Sequence, residues 1–161
     1  MSAEILEQQT VTSFEIRKEI DIAAPLDITF QAVLDELGPE GQMPDGTPFP
    51  LKLKLKLEPW PGGRWYRDLG NDAGHLWGHV QVIKPPSLLE ICGPMPMSYP
   101  AINHVQYRLK PEGSGTRLTI THKAMGLILP AHRDGMPEGW SHGLKRIREL
   151  AEGAAKTAVK R

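Results

Sequence analysis

From Leu51 to Leu57 leucine and lysine alternate without a slip, LKLKLKL. Successive side chains of a strand point to opposite faces, so the leucines share one face and the lysines the other. Such a strand belongs to an antiparallel sheet with one dry and one wet face. A Pro61-Gly62-Gly63 corner bracketed by Trp60 and Trp65 follows, and predicts a tight turn or a bulge.

The same alternation recurs along the chain. Ser13–Ile22 (SFEIRKEIDI) reads as a first strand. Ala24-Pro25 opens a helix, since proline suits a first turn where its missing N–H costs nothing. Ile28, Phe30, Val33, Leu34 and Leu37 form its apolar stripe and Gly38 ends it. Gly38–Pro50 is a Gly/Pro loop. Strands are predicted at Leu51–Leu57, Arg64–Leu69, His75–Ile83, Leu88–Gly93, Ala101–Leu109 and Thr116–Lys123, with Glu112-Gly113-Ser114-Gly115 as a hairpin signal. A C-terminal helix with Pro137 in its first turn carries Trp140, Leu144, Ile147, Ala151, Ala154, Ala155 and Ala158 on one face. Strand, helix, a run of strands and a long helix make an α+β layer fold, with the last helix packed across the dry face of the sheet.

At 161 residues the chain is read as one domain over 13–156, between a polar N-terminal tail (1–12) and a basic C-terminal tail (157–161). Lys and Arg number 19 and so do Asp and Glu, which leaves no net field for nucleic acid or an anionic membrane. Cys92 is the only cysteine, so there is no internal disulfide and no Cys-based zinc cluster. Its apolar neighbours suggest a buried structural thiol. No stretch approaches the roughly 18 apolar residues of a membrane span, and no apolar N-terminal run follows positive charge; the chain is read as cytoplasmic.

Candidate chemistry is sparse. There is no Gly-rich phosphate loop, no HExxH, no G-x-S-x-G and no paired-carboxylate motif with helical spacing. Asp21, Asp27, Asp35, Glu36 and Glu40 read as helix surface or turn. His75, Trp77 and His79 share a face of their predicted strand, but residues four apart there stand about 13 Å from each other, too far to share one ion. They either line a cavity or occupy the polar face. His104 and Tyr107 fall on opposite faces, leaving Asn103, Val105 and Tyr107 together on the inward one. His122 reads as structural or exposed, Arg64 as a surface partner. Trp140, flanked by Gly139 and Gly143, is either a core anchor or a ligand contact. Loops 94–100 and 126–135 place Met95, Met97, Tyr99, Leu127, Ile128 and Leu129 where polar residues are usual, which suggests a ligand gate or a contact between two copies.

Several stretches, in order and spacing, resemble the START-like (SRPBCC) superfamily, and within it the branch named for the activator of the heat-shock-chaperone ATPase. They are Ala24–Phe30, Pro61–Trp65, Gly78–Pro86 with Leu88–Glu90, and Thr116–His122 followed by Gly139-Trp140 and Leu144. The resemblance spans roughly residues 13–152. It implies the helix-grip fold: a curved antiparallel sheet of about six to seven strands wrapped around a long C-terminal helix, with one or two short helices after the first strand and a cavity between sheet and helix.

The resemblance implies no single activity. Carriers, cyclases and chaperone regulators share the fold, which is a poor guide to chemistry. The leading expectation is an apolar or aromatic small molecule bound in the cavity without turnover. The cavity candidates are Leu53, Leu55, Trp65, Trp77, Met97, Tyr99, Tyr107, Leu129, Trp140 and Leu144. No catalytic residue, cofactor or metal is expected. A chaperone co-regulator is the first alternative. A cyclase- or hydrolase-type enzyme using His75, His79, His104, Tyr107 or His122 is the second. A homodimer is a further expected partner state.

Overall fold

The structure, a computed structural model, describes residues 2–38 and 55–159. Leu53, most of the 38–50 loop and the first half of the leucine–lysine run lie outside them. Among the described residues seven strands form one antiparallel sheet: β1 Thr12–Ile22, β2 Leu55–Leu57, β3 Arg64–Gly70, β4 Ala73–Lys84, β5 Leu88–Gly93, β6 Ala101–Glu112 and β7 Gly115–Gly126. Their order across the sheet is β1-β7-β6-β5-β4-β3-β2. Helix α1 (Leu26–Leu37) follows β1, and helix α2 (Pro130–Val159) closes the chain. This is the helix-grip α+β arrangement, a curved sheet around a long C-terminal helix.

Short turns connect the central strands and so set their registers. Asn71 and Asp72, both at positive φ (54° and 62°), join β3 to β4, the backbone twist that suits a two-residue hairpin. Gly113 and Ser114 do the same between β6 and β7, where Glu112 pairs with Gly115. Alternation then buries one face of each strand: Asn103, Val105, Tyr107 and Leu109 of β6 are all at most 2 % exposed. Leu118, Ile120 and His122 of β7 lie beside them on the same face, as the register dictates.

The β3–β4 ladder breaks that alternation beside the helices. Trp65 pairs with Gly78 and Tyr66 with Leu76, so Trp77 is an extra residue on β4. A bulge of this kind places two consecutive side chains on one face and bends the strand. Glycine makes it sterically feasible: a Cβ on Gly93 would stand 2.4 Å from the Cα of Gly78 and 2.5 Å from the Trp77 carbonyl. The bulge reverses the face beyond it. His75 and Trp77 therefore share a face while His79 is turned outward beside Arg64, contrary to the parity that would align all three.

Helix α2 begins earlier than its sequence suggests. Pro130 takes the first turn, so the expected loop 126–135 shrinks to Leu127–Leu129 and Pro137 lies inside the helix. The buried stripe also shifts: Gly143, Leu144, Ile147, Leu150 and Ala151 are buried, whereas Ala154 and Ala158 are exposed. Helix α1 contributes Phe30, Val33 and Leu37 to the same core. Met97 and Ile128 are buried in a smaller cluster with Ala124, and Met95 joins the main core. Burial, not exposure, accounts for these apolar loop residues. Among the described residues no helix is long and apolar enough to cross a membrane.

Candidate functional site

The two helices and the β2–β4 half of the sheet wall a cavity of about 200 Å³ that opens to solvent. Leu55 of β2, Trp65 of β3 and Trp77 of β4 form the sheet side. Leu37 of α1 and Met95 and Pro96 of the β5–β6 loop extend it, and α2 supplies Met136, Gly139, Trp140 and Gly143. Glu36 and Arg146 are its charged members.

Three of the protein's four tryptophans meet here. Trp65 and Trp77 pack edge to face, ring centres 5.0 Å apart, an arrangement favoured by the ring quadrupoles. It exists because the bulge brings Trp77 to the face of Trp65. The indole N–H of Trp65 donates to the Leu37 carbonyl at 2.8 Å, tying the sheet to the end of α1. That of Trp140 donates to Nδ1 of His122 at 2.9 Å. Trp77 Nε1 is buried and has no partner among the described residues. With every indole N–H engaged or sealed off, the tryptophans present carbon to the cavity.

Behind Trp140 runs a buried polar chain. His122 Nδ1 accepts from Trp140, so its proton sits on Nε2, which donates to Asn103 Oδ1 at 2.7 Å. The Asn103 amide nitrogen in turn donates to the carbonyls of Gly93 and Pro94, each at 3.2 Å. Helix α2 is thus linked through β7 and β6 to the end of β5. Phe14 and Trp140 both meet the His122 ring edge-on. Burial penalises the imidazolium and lowers His122 from 6.5 to about 4, so it is neutral at physiological pH.

The charged pair is a second tie. Arg146 Nη2 donates to Glu36 Oε1 at 2.7 Å, joining the two helices. Glu36 is 7 % exposed. Burial raises its pKa, and the guanidinium of Arg146 works in the opposite direction. The carboxylate lies against α2 at Gly143, where a Cβ would make ordinary van der Waals contact with Oε1 at 3.6 Å. Glu36 therefore is not the helix-surface carboxylate expected from sequence.

Of the sequence candidates, Leu55, Trp65, Trp77 and Trp140 line the cavity. Leu144 and Tyr107 lie in the core beside it; Tyr107 meets Trp140 edge-on at 6.3 Å. Met97 and Tyr99 belong to the smaller cluster, where Tyr99 Oη bonds His132 Nδ1 at 2.7 Å. Leu129 is 50 % exposed and does not line the cavity. Arg64 is a surface partner, bidentate to Glu58. Cys92 is half-buried on the outer face, between its register partners His79 and His104, and is not a core thiol.

Sequence reasoning missed Glu36, Arg146 and the tie through His122. One signal was present: Gly139, Gly143 and Arg146 recur at helical steps on a single face of α2. Among the described residues no three His, Cys, Asp or Glu side chains are placed to hold a metal ion.

Comparisons with known proteins agree with the fold. The family model described as Activator of Hsp90 ATPase homolog 1-like protein matches residues 51–152. A protein of Rhizobium leguminosarum is 17% identical, with a TM-score of 0.67 over 91% of this chain and 99% of that one. An AHSA1-like protein from Rhizobium etli is 27% identical, with a TM-score of 0.56 over 88% of this chain and 84% of that one. CalU16 from Micromonospora echinospora is 21% identical, with a TM-score of 0.56 over 91% and 84%. No curated protein matches the sequence.

Proposed function

The chain belongs to the Activator of Hsp90 ATPase homolog 1-like family, and on that premise we propose that it binds an apolar or aromatic small molecule between its sheet and α2, without turnover. The observation that carries this reading is the cavity itself, walled by Trp65, Trp77 and Trp140 with Leu37, Leu55 and Met95. A concave, mainly apolar site with few polar groups is the usual form of a small-molecule pocket. Its volume of about 200 Å³ is below the roughly 300–1,000 Å³ of drug-sized sites and favours a ligand of one or two rings.

The groups nearest to an acid–base role support binding over catalysis. His122 has both ring nitrogens engaged and Tyr107 is wholly buried, and neither lines the cavity. The test is titration with hydrophobic fluorescent probes while following tryptophan emission. Saturable binding that disappears when Gly139→Phe fills the cavity supports the reading. No probe binding above background overturns it.

The family's description supports a second reading, contact with a chaperone. An outward groove beside Ser13, Ile102 and Met125, where the last two are 58 % and 55 % exposed, offers such contact an apolar footing. A pull-down from the native cell checks it, and absence of any chaperone counts against it. The same groove would serve a homodimer, which molar mass in solution by light scattering distinguishes.

A further inference from the structure

We propose that the cavity selects a neutral hydroxyl-bearing aromatic molecule, whose hydroxyl donates to Glu36 Oε2 beside Arg146. This rests on the reading of the cavity as a ligand site and names the chemistry that site recognises.

Few polar atoms face the cavity, and most of them are already engaged. The tryptophan N–H groups that line the cavity are spent or sealed: Trp65 on Leu37, Trp140 on His122, and Trp77 buried without a partner. Apart from the pair, the remaining lining side chains among the described residues are aliphatic, thioether or glycine. The pair is therefore the cavity's polar handle.

Its valences are unevenly used. Glu36 Oε1 holds Arg146 Nη2, while Oε2 has no hydrogen-bond partner among the described residues. Nor is Oε2 among the buried, unpartnered side-chain atoms of the described residues, which are Arg67 Nε, Trp77 Nε1, Tyr107 Oη and Arg146 Nε. Glu36 is almost wholly buried and lines the cavity, so the cavity is where the proposal puts the donor for its free oxygen. An acceptor in a mostly dry site calls for a donor.

Charge then narrows the donor. The pair is neutral as a unit. A ligand carboxylate is drawn by Arg146 but repelled by Glu36 at the same spot, and an ammonium has the converse problem. A hydroxyl satisfies Oε2 without adding a charge to desolvate. The aromatic wall supplies the rest of the affinity by burial and edge contacts.

Three ligands of one shape separate this proposal from the simpler one. Tryptophan indole N–H signals are followed by chemical-shift titration with 2-naphthol, 2-methylnaphthalene and 2-naphthoate at neutral pH. A hydrogen bond to a charged acceptor contributes about 1.5–3 kcal/mol, so 2-naphthol is expected to bind about tenfold or more tighter than 2-methylnaphthalene. Glu36→Leu is expected to abolish that preference while 2-methylnaphthalene still binds. Equal affinity of naphthol and methylnaphthalene in the wild-type protein overturns the hydroxyl proposal and leaves the apolar-site reading standing. Tightest binding of naphthoate also overturns it, since Arg146 would then be an anion hook. Failure of all three to bind overturns both readings. The wild-type ranking needs no variant, so the proposal stays testable even where Glu36→Leu does not fold.

Discussion

The indole N–H of Trp140 points its proton at Nδ1 of His122 across 2.9 Å, so helix α2 is seated on the sheet by an acceptor that acid removes. Protonating Nδ1 would set one N–H against another and break the seat.

The pH dependence has a definite sign. His122 titrates at about 4 in the fold, against 6.5 when free. Between those values the unfolded chain binds the proton and the folded protein does not. Its contribution is therefore intact above pH 6.5 and is lost as pH falls toward 4, by about 3 kcal/mol at the limit. Glu36 acts in the opposite sense: its pKa is raised, so its folded form takes a proton more readily and its charge costs most at high pH. Chemical denaturation at a series of pH values should show stability declining below pH 6.5, with Trp140 emission shifting in the same window. A stability curve that stays flat between pH 6.5 and 4 would rule out the buried neutral imidazole.

Tyr107 gives a prediction of unusual sign for a core residue. It is 1 % exposed, its hydroxyl has no partner among the described residues, and burial raises its pKa well above the ordinary phenol. Removing an unpaired buried hydroxyl costs no bond. Tyr107→Phe should leave stability within about 1 kcal/mol of the parent or increase it. A loss of 2 kcal/mol or more in urea denaturation would show that the hydroxyl has a partner after all.

Gly93 tests the steric origin of the bulge. A methyl group there would overlap the Cα of Gly78 and the carbonyl of Trp77, neither of which is a flexible side chain. Gly93→Ala should destabilise by about 1–3 kcal/mol, as overpacking does, and should lower probe binding because Trp77 moves. Gly139→Ala is the contrasting substitution: nothing lies within 4 Å of its added carbon. It should stabilise the helix by up to about 1 kcal/mol. Thermal melts of the two variants that move in the same direction would contradict the packing described.

Much of this architecture is legible in sequence because it follows from local periodicity. Parity alone places Asn103, Val105 and Tyr107 on one buried face, and Pro25 and Gly38 bracket α1 within a residue. What is not legible depends on pairing between distant segments. Parity along β4 aligns His75 with His79, but the extra residue at Trp77 is fixed by how β3 and β5 pack against it. An isolated Glu36 near a helix end reads as solvated; its partner Arg146 is 110 residues away. His122 likewise alternates correctly into the core, while the donor and acceptor that make this burial tolerable come from α2 and β6. Four of the proposed cavity residues were recoverable as wall, and the charged handle was not.

The same pair supplies a test of how the helices are held. Glu36 is nearly buried, whereas the Arg146 side chain retains 27 % exposure, so the two single removals are not equivalent. Arg146→Met leaves a carboxylate in a dry site without its guanidinium, which for a buried pair costs about 3–5 kcal/mol. Part of that cost is avoided as Glu36 takes up a proton, so this variant should recover stability as pH is lowered toward 5. Glu36→Leu instead frees an arginine that can turn to water, and should cost less. In the double variant no charge remains buried, and apolar replacement of an ion pair is often neutral or stabilising. A double-mutant cycle in urea should therefore show strong coupling, with the double variant more stable than Arg146→Met alone. Additive single effects would mean that the 2.7 Å contact does not hold α1 to α2.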